Sequence, residues 1–362
     1  MSLFLCVDCG GSKTSTVITN AAGDIVGRAH GGPSNFAYIG LQAFLLAVGA
    51  TVSDALKTCV SPPSVDPVTL PPTSPLFAAA WFGVSGVNSQ GAIDAINPPL
   101  SALLGIPVGP NLMVTNDVNL VAAPLRLYDD VDCAVACIAG TGSYVTSFKE
   151  GEGMELKEMG RAGGWGWILG DEGGGFSVGR EAIRQILLDA DIASVEGPPP
   201  PPKEGKSTLV KYICDLYSAP DVYELLTVVH LPDPAPGAHV IDSKVPNYAQ
   251  TIREKRLSQL APLVFRSAFE DKDPVAMKVL RTSSSVLVDQ ICILLRPGAL
   301  RGVSASNGVL CFGGSLVGIE VYRQLILEQL KERGHVFKHI AVVEDVAAIG
   351  AKGLALATAG RV

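Results

Sequence analysis

Acidic side chains stand at the ends of two predicted strands in the first third of the chain. Asp8 follows the apolar run Leu3 to Val7. The pair Asn116-Asp117 follows a second run, Leu112 to Thr115. A carboxylate at a strand end that opens into a cleft can accept the proton of a hydroxyl as it attacks phosphorus. Asp117 is therefore a candidate general base. The alternative is a helix cap, and both roles hold together only if Asn116 makes the cap.

The residues that follow Asp8 predict a hairpin turn that can hold phosphate. Cys9-Gly10-Gly11-Ser12-Lys13 separates the first strand from the β-branched run Thr14 to Thr19. A P-loop needs G-x-x-x-x-G-K-[ST] leading into a helix, which this stretch does not match. Small turn residues expose backbone N–H groups that can bind a phosphate, and Asp8 is then placed to orient a hydrated Mg²⁺. The alternative is an ordinary hairpin.

The second half of the chain repeats this pattern. Ala139-Gly140-Thr141-Gly142-Ser143 lies between the strand-like runs Cys133 to Ile138 and Tyr144 to Phe148. Two such hairpins predict a duplicated domain, with paired phosphate-holding turns that face a shared cleft. We place the two domains at residues 1–127 and 128–362, and a last helix at about 345–358 could pack back on the first.

Two glycine-rich stretches are further candidates for ligand contact. Residues 160–179 contain nine glycines in twenty positions together with Trp165 and Phe176, which a solvent-exposed linker would not carry. The glycines are expected to allow close backbone approach to a ligand, with the aromatic rings packed around it. Asp171 and Glu172 would then accept the hydroxyl protons of a polyol; the alternative is a structural loop. The stretch 313–315, Gly-Gly-Ser, lies between a predicted strand and helix, where a nucleotide or a plain turn would fit.

Composition narrows the class of protein. The chain has 362 residues, of which 48% are hydrophobic and 17% charged, so a well-buried globular protein is expected. A net charge of −7 without a long basic run argues against nucleic acid and against an anionic membrane as partners. No apolar stretch is expected to reach the length of a membrane span, the nearest being Ile39 to Val52. The N-terminus has no basic segment typical of a signal peptide.

The eight cysteines indicate a reducing compartment, because they are scattered and mostly lie in apolar runs. Cys6 and Cys9 form a C-x-x-C, but on a strand they would point to opposite faces, which disfavours a metal or redox pair. A cytoplasmic location is therefore expected.

Hydrophobic spacing predicts the remaining elements. Further strands are expected at Ile25 to Ala29, Phe77 to Val87, Gly308 to Phe312 and His339 to Val343. Helices are expected at Leu41 to Lys57, Val118 to Leu127, Phe176 to Ala190, Tyr248 to Phe269, Pro274 to Leu295, from Ser315 through Lys331, and at Asp345 to Thr358. Proline-rich irregular segments are expected at Ser61 to Pro75, Gly197 to Gly205 and Leu231 to Gly237.

Taken in order, these motifs resemble those of the eukaryotic N-acetylglucosamine kinases. This is the BadF/BadG/BcrA/BcrD group of the actin-like sugar kinase superfamily. The motifs are Asp8-Cys9-Gly10-Gly11-Ser12-Lys13-Thr14, Asn116-Asp117, Gly140-Thr141-Gly142-Ser143, Gly163-Gly164-Trp165-Gly166 and Leu169-Gly170-Asp171-Glu172-Gly173. The resemblance extends from residue 3 to about 357, and the last two motifs are its most specific part.

The resemblance implies an α/β fold of two actin-like, ribonuclease H-like domains, with ATP and sugar in the cleft between them. By the same resemblance, ATP would phosphorylate N-acetyl-D-glucosamine on its 6-hydroxyl, and the protein would be a homodimer. Asp117 would be the catalytic base and also bind the sugar, and Asp8 would lie near Mg²⁺. The residues implied for ATP are Gly10, Gly11, Ser12, Lys13, Thr141, Gly142, Gly313, Gly314 and Ser315. Those implied for the sugar are Asn35, Ser143, Gly164, Trp165, Gly166 and Asp171.

The chain departs from the family pattern at a few positions, which bear on the sugar more than on the reaction. Cys9 stands where Gly is usual, Tyr144 replaces a smaller polar residue beside the sugar, and Gly174 stands where Ser is common. The proline tract at residues 198–202 is an insertion.

Several alternative functions stay open at this point. Glucosamine, N-acetylmuramic acid or another hexose could be the substrate. An ATPase activator of the 2-hydroxyacyl-CoA dehydratase type would bridge a [4Fe–4S] cluster, but no cysteine pair lies near the expected helix starts of the second half. A catalytically silent sugar sensor is disfavoured because Asp8, Asp117, Thr141 and Asp171 are all present.

Overall fold

The computed structural model describes residues 2–197, 208–235, 244–298 and 302–359. Its framework is a pair of five-stranded sheets. The strands are β1 (Leu3–Cys9), β2 (Thr14–Thr19), β3 (Ile25–Gly31), β4 (Phe77–Val84), β5 (Leu112–Thr115), β6 (Cys133–Ala139), β7 (Ser143–Glu150), β8 (Leu156–Gly163), β9 (Gly308–Gly313) and β10 (His339–Val342).

The two sheets have the same topology. The first has the strand order β3-β2-β1-β4-β5, and the second, read from its other edge, is β8-β7-β6-β9-β10. In each, three antiparallel strands come first and two parallel strands follow. The two-domain α/β fold expected from the repeated hairpins is confirmed, while the boundary at residue 127 stays a prediction.

Helices cover both sheets and also lie between them. They are α1 (Phe36–Ala55), α2 (Gln90–Leu104), α3 (Val118–Val121), α4 (Gly175–Glu196), α5 (Leu209–Tyr217), α6 (Glu224–His230), α7 (Arg253–Ser258), α8 (Ala261–Phe269), α9 (Pro274–Leu294), α10 (Glu320–Glu332) and α11 (Val346–Ala359). Short 3₁₀ segments occupy Leu56–Thr58, Ala123–Leu127, Asn247–Gln250 and Ala305–Asn307.

Strand β1 shows how the layers form, because its side chains alternate between two cores. Leu5 and Cys9 pack in the cluster that contains side chains of α1 and α2. Phe4 and Cys6 face a central cluster shared with α11 and with strands of the second sheet. Cys6 and Cys9 therefore point to opposite faces, as expected, and both thiols are free. The outer face of the second sheet packs against α4, α8 and α9.

Helix α1 differs from its prediction in two ways. It starts at Phe36, five residues earlier than expected, and Gly40 at φ 71 interrupts its regular geometry. The segment Phe36–Thr58 is also long and apolar enough to cross a membrane by length and composition, against the expectation that no stretch reaches that length. Phe44, Val48 and Val52 of this helix are fully buried in the core of the first sheet, whereas 22% of its most apolar 18-residue window is buried in all.

The predicted long helix from Tyr248 to Phe269 is wrong. A 3₁₀ segment, α7 and α8 replace it. The buried guanidinium of Arg256 donates to the carbonyls of Tyr248 and Thr251, at 2.9 and 2.8 Å, which takes these carbonyls out of a helical hydrogen-bond ladder. Pro262 has no N–H to continue a helix and stands in the first turn of α8.

Other differences concern short or edge elements. Val118 to Leu127 forms α3 and a 3₁₀ segment, not one helix, and the strand from Phe77 ends at Val84. Strand β8 and helices α2, α5 and α6 were not anticipated. Strand β8 pairs only with β7, so its side chains stay partly exposed and polar and the strand lacks an apolar run. Residues 198–205 and 236–237 of the predicted proline-rich segments lie outside the described residues.

Candidate active site

The carboxyl ends of parallel strands β1, β4 and β5 meet at one edge of the first sheet and bring three side chains together. Asp8 is the penultimate residue of β1, and Ser85 and Asp117 follow β4 and β5. Gly83 of β4 pairs with Asp8, and a Cβ on it would lie 3.1 Å from the Cα of Asp117 and 2.4 Å from Leu120. A glycine is therefore required there for the start of α3 to reach the sheet.

Asp117 lies in a hydrogen-bonded network that includes a predicted sugar residue. The Ser85 hydroxyl lies near enough to the Asp117 carboxylate to lower its pKa, and Asn35 Nδ2 donates to Ser85 Oγ at 3.1 Å. Asn35 is itself held because its Oδ1 accepts the N–H of Tyr38 at 3.2 Å and caps α1. The geometry thus fixes Asp117 and Asn35 relative to each other from two different elements.

Burial governs the electrostatics of this edge. Desolvation raises the pKa of Asp8 to about 6, and the neighbouring charge of Asp117 raises it further than Lys13 lowers it. Desolvation also raises the pKa of Asp117, against hydrogen bonds from Ser85 and from the Val118 N–H that lower it. A carboxylate whose proton affinity is raised is a better general base near neutral pH than an ordinary aspartate.

Both Asn116 and Asp117 contribute to the helix cap, and the role of Asp117 as a base stays a prediction. The N–H of Val118 lies 3.1 Å from the Oδ1 atoms of both residues, so they share the cap. Asn116 also donates from Nδ2 to Val87 O and to Asn88 Oδ1, each at 3.0 Å. Asp117 keeps a second oxygen for other partners.

The second sheet brings the other predicted turns together at its own edge. Gly140 N–H donates to Gly142 O at 2.9 Å and closes the turn between β6 and β7, as Gly10 N–H donates to Lys13 O at 3.0 Å in the first hairpin. A Cβ on Gly140 would lie 3.6 Å from Ser315 Oγ, so the two loops are neighbours. The exposed turn residues are Gly11, Ser12, Lys13, Thr141, Gly314 and Ser315, whereas Gly313 is buried in β9.

Asp171 and Glu172 have separate roles. Asp171, at φ 59, accepts the Ser143 N–H at 3.4 Å and lies so close to Gly142 that a Cβ there would be 2.6 Å from its Oδ2. Desolvation raises its pKa. Glu172 is occupied by Arg180, at 2.7 and 2.8 Å, and by Ser177 at 3.0 Å. The Glu172 carboxylate is thus already engaged within the protein, and its predicted contact with sugar hydroxyls stays a prediction.

Glycines of the stretch 160–179 lie in close contact with the β6–β7 turn and with β7. A Cβ on Gly174 would lie 2.7 Å from the carbonyl carbon of Gly142, and one on Gly164 would lie 2.3 Å from Tyr144. The aromatic residues do not gather around a ligand site as expected. Trp165 is 67% exposed, with Ile168 and Leu169 exposed as well, whereas Trp167 packs on Phe176. Gly166 is also exposed, so contact between this loop and the Asp117 network stays a prediction.

The strand ends that carry these residues in the first sheet lie near those of the second sheet. Asp345, which follows β10 of the second sheet, raises the pKa of Asp8 through its charge and pairs with Arg28 of β3 at 2.5 Å. A Cβ on Gly313 would lie 3.0 Å from Val121 of α3. Next to this junction, a groove of about 850 Å³ separates α2 and β5 from the β7–β8 hairpin.

The carboxylates of Asp8 and Asp117, at the strand ends of the first sheet, fit a hydrated magnesium ion. Among the described residues, no group of three His, Cys, Asp or Glu side chains could hold a metal ion. Mg²⁺ keeps several waters and needs only one or two carboxylates besides a substrate phosphate. Asp8 is largely buried beside the charge of Asp117, an environment that a cation would stabilise.

Sequence reasoning missed Ser85 and Asp345. The signal for Ser85 was a small polar residue after a buried strand, at the same strand-end position that singled out Asp8 and Asp117. Asp345 precedes the last helix in the same way and accepts the Ala348 N–H at 2.9 Å.

Comparison with known proteins shows which family this chain belongs to. The model of the BadF/BadG/BcrA/BcrD ATPase family matches residues 5–357. The chain belongs to this family. A curated relative, N-acetyl-D-glucosamine kinase of Dictyostelium discoideum, is 24% identical over 292 residues, which cover 80% of this chain and 78% of that protein.

Solved structures of this group share the fold. A candidate N-acetylglucosamine kinase from Porphyromonas gingivalis is 20% identical with a TM-score of 0.60, over 98% of this chain and 99% of that one. A candidate N-acetylglucosamine kinase from Chromobacterium violaceum is 19% identical with a TM-score of 0.55, over the same shares of the two chains. At these identities the likeness shows the fold alone. This chain has the two-domain, actin-like α/β fold of these structures.

Proposed function

We propose that this protein is an ATP-dependent sugar kinase that phosphorylates N-acetyl-D-glucosamine on its 6-hydroxyl. Membership of an ATPase family and the name of the Dictyostelium discoideum relative support this assignment. The observation that carries it is Asp117, a partly buried carboxylate after β5 whose pKa is raised by desolvation and which lies near Ser85, the hydrogen-bond partner of Asn35.

The reaction needs few protein groups. Asp117 accepts the proton of the sugar hydroxyl while its oxygen forms a bond to the γ-phosphorus and the bond from that phosphorus to the β-phosphate oxygen breaks. Phosphoryl transfer depends mainly on position and charge stabilisation. The exposed turns at Gly11 to Lys13 and at Thr141 offer backbone N–H groups to the phosphates. Asn35 and Asp171 orient the sugar.

Asp8 would hold the hydrated Mg²⁺, which supplies charge neutralisation at the phosphates. A homodimer and a cytoplasmic location belong to the same proposal and rest on the family resemblance and the composition. Sedimentation of the purified protein tests the dimer.

The variant Asp117→Asn tests the proposal. We expect turnover to fall about 10³-fold, because loss of a general base typically costs about 10²- to 10⁴-fold. Nucleotide and sugar binding, measured by calorimetry, should persist because the amide keeps the shape and the cap. The matched control Asp66→Asn, on a surface loop, should leave ADP release unchanged. Turnover within tenfold of wild type would exclude Asp117 as the base.

A panel of N-acetylglucosamine, glucosamine and glucose in the same ADP-release assay tests the substrate. We expect the highest kcat/KM with N-acetylglucosamine. A higher kcat/KM with another sugar would change the proposed substrate and leave the kinase assignment intact.

A further inference from the structure

The groove beside the active site is lined by groups that suit a neutral, polyhydroxylated ligand. Five carboxamides line it: Asn88, Gln90, Asn97, Asn116 and Asn119. A carboxamide carries a donor and an acceptor side by side, and can therefore pair with the adjacent hydroxyls of a sugar ring. The charged lining residues are Glu155, Glu158 and Arg161, so the lining has no excess of positive charge to attract a phosphate or another anion.

One of these carboxamides has unused hydrogen-bonding capacity. Asn97 Oδ1 is buried and has no hydrogen-bond partner among the described residues. Asn97 lies on α2 directly before Pro98 and Pro99, which lack N–H groups of their own. Buried polar atoms in native proteins are nearly always paired, and Asn97 lines the groove and is partly exposed, so a rotation of its carboxamide lets a bound ligand satisfy the unpaired oxygen.

The groove is continuous with the proposed sugar site. Asn116 and Val118, which flank Asp117 in sequence, form part of its wall. Tyr144 and Gly164 form the opposite wall, and the Tyr144 ring lies against the Gly164 backbone. The volume of about 850 Å³ is near the upper end of small-molecule sites, which measure about 300–1,000 Å³, and exceeds the need of a single sugar ring.

We infer that this groove binds a second sugar ring that is glycosidically linked to the ring being phosphorylated. The substrates then include neutral disaccharides of the amino sugar. This inference rests on the proposed function and adds a subsite to it. The chemistry is unchanged: one hydroxyl oxygen gains the γ-phosphoryl group, its proton passes to Asp117, and ADP leaves.

The test compares three acceptors at saturating ATP with wild-type protein. These are N-acetylglucosamine, its methyl glycoside and N,N′-diacetylchitobiose, with ADP release as the readout and mass spectrometry to locate the phosphate. We expect the disaccharide to be phosphorylated with a KM at or below that of the monosaccharide. The methyl glycoside, which adds no second ring, should behave like the monosaccharide.

Two groove variants and one control assign the effect to the groove. Asn97→Ala and Gln90→Ala should each raise the KM for the disaccharide about tenfold, the value of one hydrogen bond, and leave the monosaccharide KM within about twofold. Gln90 is exposed and its amide bonds only Asp94 among the described residues, so Gln90→Ala removes no core contact. The control Lys157→Ala, on the exposed side of β8, should change neither value.

The outcomes separate the two proposals. Turnover of the monosaccharide without turnover of the disaccharide overturns the groove inference and leaves the kinase assignment standing. Equal losses for both acceptors in the groove variants also overturn it, because they indicate a general structural effect. Absence of turnover with every acceptor removes the proposed function and this inference together.

Discussion

The two hairpin turns of the molecule share a topology and differ in charge and crowding. The turn between β1 and β2 lies beside Asp8, carries Lys13, and is open, because a Cβ on Gly11 would meet nothing within 4 Å. The turn between β6 and β7 has no charged residue of its own. It is crowded by Asp171 and Gly174, which both approach Gly142 closely.

This contrast shows that the repeated fold did not repeat the chemistry. The first edge supplies the carboxylates that can hold a cation and accept a proton. The second edge supplies backbone and hydroxyl groups, and its nearby carboxylate comes from a separate loop that enters α4. The same topology therefore carries different groups at the two turns, and substitutions in the two turns should have unequal effects.

The largest difference is expected between Gly142→Ala and Gly11→Ala. A Cβ on Gly142 would lie 2.6 Å from Asp171 Oδ2, so the turn or Asp171 must move. A shift of about 1 Å near a reaction centre can cost about 100-fold in rate, and we expect that loss of kcat/KM for Gly142→Ala. Gly11→Ala should stay within about threefold. ADP-release kinetics measure both, and equal losses would contradict the difference in crowding.

The pH dependence of turnover should depend on Ser85. Because desolvation raises the pKa of Asp117, kcat/KM should fall on the acid side at a higher pH than for an ordinary aspartate. Ser85→Ala removes an interaction that lowers this pKa, so the acid limb of the kcat/KM profile should move to higher pH than in wild type. A pH–rate profile identical to that of wild type would show that Ser85 does not act on the base.

The smallest effect is that of the Asp8 charge on the stability of the folded protein. The pKa of Asp8 is raised to about 6, so the folded protein binds this proton more tightly than the unfolded chain does. The ionised carboxylate therefore opposes folding above pH 6, by at most about 3 kcal/mol, and this penalty disappears below about pH 4. Asp8→Asn should raise the thermal midpoint at pH 8 and not at pH 4. The surface variant Asp66→Asn should change neither, and a lower midpoint for Asp8→Asn at pH 8 would contradict the assignment.

Local patterns were enough to predict the elements that depend on local interactions. The two hairpins, most buried strands and the helix from Pro274 follow from β-branched runs, glycine turns and the cap at Asp273, which accepts the Val275 N–H at 2.8 Å. The helix proposed at Tyr248 to Phe269 failed because a distant requirement, the burial of the Arg256 guanidinium, claims its carbonyls. Strand β8 was missed because an edge strand does not need an apolar pattern.

For the candidate site, the sequence alone determined which residues stand at strand ends. Asp8, Asp117 and the two glycine turns could be found because a buried strand that stops at a polar residue is a local signal. Only the tertiary structure decided which of them meet and what else they meet. Parallel pairing of β1, β4 and β5 placed Ser85 near both Asn35 and Asp117, and the fold paired Glu172 with Arg180. Hydrogen bonds and desolvation act through space, so residues far apart in sequence set the charge and position of a site that the sequence can only suggest.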